Sequence, residues 1–144
     1  MILLDTNAVL ALVWAEPGGR EVMALLRQEH CAIPATCLCE VVDHLIRRDR
    51  IPSQAVAEKL APLLSEVVSV PVVDQPVGWR AGEIRARHYS RGISALSHVD
   101  CLLLAAAGPD DKIATADAAL VAVALELEIG VIPLPDSNGN RPPV

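Results

Sequence analysis

The chain has 144 residues, of which 52% are hydrophobic and 2% aromatic with no Phe, and it carries a formal charge of −6 with a sequence pI near 5.1. One compact domain with an aliphatic core follows, because a chain of this size buries roughly two thirds of its unfolded surface. The acidic balance excludes binding nucleic acid through a bulk positive field, so a polyanionic ligand would need a local basic patch or a metal ion.

Short apolar runs alternate with segments of helical period, the pattern of βαβ units around a parallel sheet. "MILLD" reads as a buried strand. The start lacks a basic leader and is interrupted by Asp5, so it is expected to be mature structure rather than a signal peptide. "TNAVLALVWAE" begins a helix stopped near Pro17, "GGREVMALLRQEH" is a second helical stretch, and "CAIPA" is a short strand. From Thr36 to Arg48 a helix places Leu38, Val41, Val42 and Leu45 on its core face. Pro52 and Ser53 open another helix, which Pro62 should kink or break.

"VSVPVV" reads as a strand whose proline puts it near an edge. "PVGWRAGEIRARHYSRG" is amphipathic and basic, with Gly92 as its stop. "SHVDCLLLAAAG" is a mostly buried helix ending at Gly108, "KIAT" a strand, "DAALVAVALELEIG" a helix closed by a glycine, and "VIPL" the last strand. Apolar runs such as "AALVAVAL" fall short of the ~18 residues of a membrane span, so a soluble protein without a membrane partner is expected. The expected fold is α/β: a three-layer α/β/α sandwich with a central, mainly parallel five-stranded sheet over residues 1–134, followed by a flexible tail, 135–144. Ligands of such sheets gather beyond the carboxyl ends of the strands.

Cys31, Cys37, Cys39 and Cys101 have neither Cys-x-x-Cys spacing nor a His-x-x-x-His partner, which argues against zinc. They read as reduced core residues of a cytoplasmic protein.

The acids need closer weighing. Asp5 and Asp117 both fall where a strand gives way to a helix, and Asp100 falls in the first turn of one. Each has an ordinary explanation: Asp5 and Asp117 as helix N-caps, with Thr115 competing for the latter role, and Asp100 as the partner of Ser97 in a capping box. Glu40 lies off the apolar face of its helix, where a contact with His44 at i, i+4 would satisfy it. Together, Asp5, Asp100 and Asp117 would converge on one end of the sheet. Carboxylates packed that closely repel unless a cation neutralises them, and hard oxygen ligands favour Mg²⁺ or Mn²⁺. A water activated by such a metal could attack phosphorus, with Thr6, Asn7 and Thr115 suited to orienting acids or waters.

"LLDTNAVLALV", "ATCLCEVVDHL" with Glu40, "LSHVDCLLLAAA" with Asp100 and "IATADAAL" with Asp117 resemble, in order and spacing, the PIN-domain family, and within it the VapC-type toxins of bacterial toxin–antitoxin pairs. The likeness covers nearly the whole chain up to the tail. It implies that Asp5, Glu40, Asp100 and Asp117 bind Mg²⁺ or Mn²⁺ and cleave RNA, helped by Thr6, Asn7, Ser97 and Thr115. It also implies a cognate antitoxin protein and a homodimer, with "EVMALL" and "AVAEKLAPLL" as dimer-surface or core segments. The chain departs from the family pattern at Leu120, where relatives often carry an aromatic, and at the short charged entry "GPDDK".

Arg47, Arg48 and Arg50 cluster at a helix end, and Arg80, Arg85, Arg87 and Arg91 line another helix. They read as contacts to RNA or to the antitoxin, or as ordinary solvated faces. Competing readings are a phosphatase or receiver-type phosphotransfer domain, a nucleotide-binding module and a non-catalytic PIN-like scaffold. Asn7 stands where a phosphatase would place its second Asp, "EPGGRE" lacks phosphate-loop spacing, and a scaffold typically loses acids that this chain keeps.

Overall fold

The computed structural model describes residues 1–90 and 96–144. Five strands, β1 (Ile2–Leu4), β2 (Cys31–Ala32), β3 (Val68–Ser69), β4 (Lys112–Thr115) and β5 (Gly130–Pro133), form one all-parallel sheet in the order β3-β2-β1-β4-β5. The expected α/β architecture is present. Central β1 is buried at every position, as a strand covered on both faces must be. Register is fixed by pairs such as Leu3 with Ala32 on one side and with Ile113 on the other. Proline-containing "VSVPVV" contributes only its first two residues to β3, at the sheet edge, because a proline nitrogen cannot donate to the ladder.

Seven helices are described: α1 (Thr6–Val13), α2 (Pro17–Gln28), α3 (Ala35–Asp43), α4 (Ser53–Pro62), α5 (Gln75–His88), α6 (His98–Ala106) and α7 (Ala118–Glu126). α3 and α4 each run on into a π-helical turn, His44–Arg48 and Leu63–Val67. Pro62 therefore loosens its helix into a wider turn rather than breaking it. α5 ends at His88, and its expected stop, Gly92, lies outside the described residues together with Arg91. None of the described helices is long and apolar enough to cross a membrane.

Two glycines serve close packing. A Cβ on Gly19 would stand 2.3 Å from the Ala11 carbonyl oxygen, so glycine is what lets α2 lie against α1. Gly130, expected to close α7, instead begins β5, and the left-handed position after the helix belongs to Glu128 (φ 57°). A Cβ on Gly130 would press within 2.9 Å of the Lys112 side chain, which accounts for glycine there.

Leu134 is buried and donates its N–H to the Thr115 carbonyl, and beyond it Arg141 pairs with Glu21 and the Pro133 carbonyl. In α2, Val22 is buried while Met23 is exposed, and α4 buries Val56 and Leu60. Among the cysteines, Cys31, Cys37 and Cys101 are free and buried as expected, whereas Cys39 is free and exposed.

Candidate functional site

β1 leads to β2 and β3 on one side of the sheet, and β4 and β5 lie on the other, so the strand order reverses between β1 and β4. The chain leaves both strands there and turns into α1 and α7, opening a crevice beyond their carboxyl ends. A cleft of about 300 Å³ is lined by Asp5, Glu40, Asp100 and Asp117, together with Thr6, Asn7 and Ser97. Acids from four separated stretches of chain thus share one depression.

Each acid is also fixed by its own local bond. Asp5 caps α1 through the Ala8 N–H at 2.5 Å, and its second oxygen accepts the Thr115 hydroxyl at 2.5 Å. The Thr6 hydroxyl donates to Glu40 at 2.5 Å, so the Glu40–His44 contact anticipated along the helix is replaced by one between α1 and α3. Ser97 and Asp100 form the complete capping box at the start of α6. Asp117 itself caps α7, accepting from Ala119 and Leu120, while its own N–H donates to the Thr115 hydroxyl. Among the described residues, no three Asp, Glu, His or Cys side chains are arranged to hold a metal ion as they stand. Asp5, Asp100 and Asp117 line the cleft while accepting cap bonds, and Glu40 while accepting the Thr6 hydroxyl.

Asp5 is the buried member, 4% exposed. Burial pushes its carboxyl up to about 7, opposed by the bonds from Thr115 and Ala8 and reinforced by the charges of Asp100 and Asp117. Asp100 is also raised, first by burial, then by the charges of Asp117 and Glu40, against the bonds from Ser97. Both shifts come first from burial, with the neighbouring carboxylates adding to it, so the cleft disfavours the charged form of these acids unless a cation is present. The Cys37 thiol, in the same cleft, is pushed up by burial and by Asp5, which keeps it protonated and a poor metal ligand. The donors therefore suit a hard divalent cation.

Sequence reasoning did not put Leu10, Cys37, His44, Arg48 and Leu103 in this cleft. Arg48 and His44 arrive on the π-helical turn after α3, which widens that helix beside the site. Of the other arginines, Arg47 pairs with Asp43, and Arg50 and Arg87 are exposed. Arg80 bonds the Ala105 and Ala107 carbonyls, and Arg85 bonds the Leu96 carbonyl and stacks over Tyr89 at 4.2 Å. These last two tie α5 to α6 and the residues flanking it.

The PIN domain family model matches residues 2–139. No curated protein matches the sequence. VapBC2 from Rickettsia felis, solved bound to a DNA fragment from its promoter, is 18% identical with a TM-score of 0.67, over 92% of this chain and 98% of that one. VapC20 from Mycobacterium tuberculosis, a toxin that cleaves the sarcin-ricin loop, is 26% identical with a TM-score of 0.57, over 73% and 79%. A toxin–antitoxin complex from Klebsiella pneumoniae is 19% identical with a TM-score of 0.58, over 81% and 87%.

Proposed function

Because the chain belongs to the PIN-domain family, we propose that it is a metal-dependent endoribonuclease, the toxin of a toxin–antitoxin pair, with Asp5, Glu40, Asp100 and Asp117 as its metal-binding and catalytic acids. The observation that carries this reading is the single cleft shared by those four acids at the point where the strand order reverses. The likeness to solved toxin–antitoxin complexes supports a cognate antitoxin partner. The proposal includes a cytoplasmic homodimer.

Asp5, Glu40, Asp100 and Asp117 would hold Mg²⁺ or Mn²⁺ by releasing part of the hydrogen bonds they accept. When bound, the ion supplies a water of lowered pKa and charge stabilisation at a phosphodiester. The protein's part is to hold the acids ready. Thr115 and the Ala8 amide keep Asp5 aimed at the cleft, Thr6 fixes Glu40, and Ser97 fixes Asp100. Asn7 is exposed at the rim, where its amide can bond a phosphate oxygen or a water. The Arg48 guanidinium offsets the charge that a phosphate brings into an acidic cleft.

A non-catalytic PIN-like scaffold is the competing reading, favoured by the fact that every acid already accepts a hydrogen bond from the protein. Incubating single-stranded and structured RNA with the protein in Mg²⁺ or Mn²⁺, beside the Asp100→Asn and Asp117→Asn variants, separates the two. Cleavage by the parent, lost with EDTA and reduced at least ~100-fold in each variant, supports the nuclease. A parent that cuts no RNA, with Asp100→Ala and Asp117→Ala variants that lose about 1 kcal/mol of stability while the Asn variants keep it, supports capping alone.

A further inference from the structure

A second cavity of about 570 Å³ opens beside the acids and shares Asn7, Leu10, His44, Arg48 and Asp117 with their cleft, so the two are lobes of one depression. Its volume falls in the range of small-ligand sites. One wall is the Trp14 indole, 40% exposed in a protein that has only two tryptophans. That indole is held in place: its Nε1 donates to Asp49 at 3.0 Å, and the His44 ring meets it at 5.1 Å and 61° rather than lying parallel to it. Ala11, Ala116, Ala118 and Ala119 supply small walls that leave room for a planar group. The first free amides of α7, Ala119 and Leu120, are already taken by Asp117. Glu16, Asp49, Asp117 and Asp136 also line this lobe, and Arg48, which borders both lobes, is the one Arg or Lys among its lining residues and so the cationic group suited to a phosphate.

We infer that Trp14 is a stacking platform for one unpaired base of single-stranded RNA next to the cut, with Arg48 holding the phosphate on that side. The inference rests on the nuclease reading and adds a base-binding subsite to it. An indole face can take a base only once that base has left its helix, and stacking accepts any base because each has a π-face. Asp49 and His44 are positioning residues, fixing the indole before RNA arrives.

The Trp79→Phe variant leaves Trp14 as the only indole, since Trp79 lies exposed on α5 away from both lobes. In EDTA, this protein is titrated with a single-stranded RNA of about a dozen nucleotides and with an abasic strand of equal length and charge. The expected result is saturable quenching of Trp14 emission by the first strand and none by the second, with affinity at least ~5-fold weaker in Arg48→Gln. In cleavage assays, Trp14→Ala should raise KM about 5- to 150-fold, equivalent to ~1–3 kcal/mol, with kcat within about threefold, while Trp14→Phe keeps most of the affinity. Equal quenching by the abasic strand, or an unchanged KM in Trp14→Ala, overturns the proposal. So does a Trp14→Ala protein that cuts RNA normally yet escapes its antitoxin, which would assign the platform to the protein partner. The two readings fail separately: base-dependent quenching in a protein that cuts no RNA defeats the nuclease reading and supports the subsite, whereas cleavage without such quenching defeats the subsite alone.

Discussion

The Thr115 hydroxyl donates to the Asp5 carboxylate at 2.5 Å across 110 positions of sequence, and the same oxygen accepts the Asp117 N–H at 3.0 Å. One fully buried side chain at the end of β4 thus joins the acid that closes β1 to the acid that opens α7. Thr115→Val keeps the shape and deletes both bonds, leaving one Asp5 oxygen and the Asp117 N–H without their partner. The expected cost is ~1–3 kcal/mol in urea unfolding, with impaired RNA cleavage, while Thr115→Ser recovers most of both.

Asp5 sets a pH dependence of the metal-free protein. Burial raises its folded pKa from 3.8 to about 7, so between those values the folded state holds a proton that the unfolded state has released. Stability from this group is full below about pH 4 and is lost as pH rises through about 7, by at most ~4 kcal/mol. Asp100 and Asp117 face the same cleft, and their charges add to the fall. Unfolding midpoints in EDTA should drop between about pH 4 and pH 7 in the parent, and Asp5→Asn should flatten that slope. A parent that gains stability across this window would contradict the burial argument.

Glu40→Gln separates hydrogen bonding from charge. The Gln carbonyl can still accept the Thr6 hydroxyl that Glu40 accepts at 2.5 Å, so stability should change by no more than ~0.5 kcal/mol. Cleavage should fall at least ~100-fold if the negative charge is what the site uses. Parallel unfolding and RNA-cleavage measurements on one preparation decide it.

Glycine substitutions test the packing. Gly19→Ala would drive a methyl into the Ala11 backbone at 2.3 Å and should cost ~2 kcal/mol or more. Gly82→Ala, in α5 where no atom lies within 4 Å of the added carbon, should stabilise by about 0.5–1 kcal/mol. Thermal unfolding of the pair reads both signs.

Much of the fold was legible because its signals are local: apolar runs of strand length, helical periods between them, and a proline that keeps β3 at the edge. The cap at Asp5 and the capping box of Ser97 with Asp100 were equally local. Glu40 was harder. Taking Leu38, Val41, Val42 and Leu45 as the buried face points Glu40 to solvent, but the fully buried residues here are Cys37, Val41 and Leu45. At ~100° per residue this turns the face by roughly 50° toward Glu40; Cys37 reads as a core residue but is not counted in the face that places Glu40. Arg48 and His44 depend on the π-helical turn, which no helical period discloses. Arg80 and Arg85 looked like a basic stripe because their carbonyl partners on and before α6 are tertiary contacts.

The central claim is that four acids from distant parts of the chain act together on one divalent ion. Calorimetric titration of Mn²⁺ into the parent and into Asp100→Asn and Asp117→Asn tests it without needing the RNA substrate. Saturable binding in the parent, weakened at least ~10-fold in each variant with unchanged circular dichroism, is the predicted result. Equal Mn²⁺ affinity in all three proteins, or no binding by the parent, would contradict it.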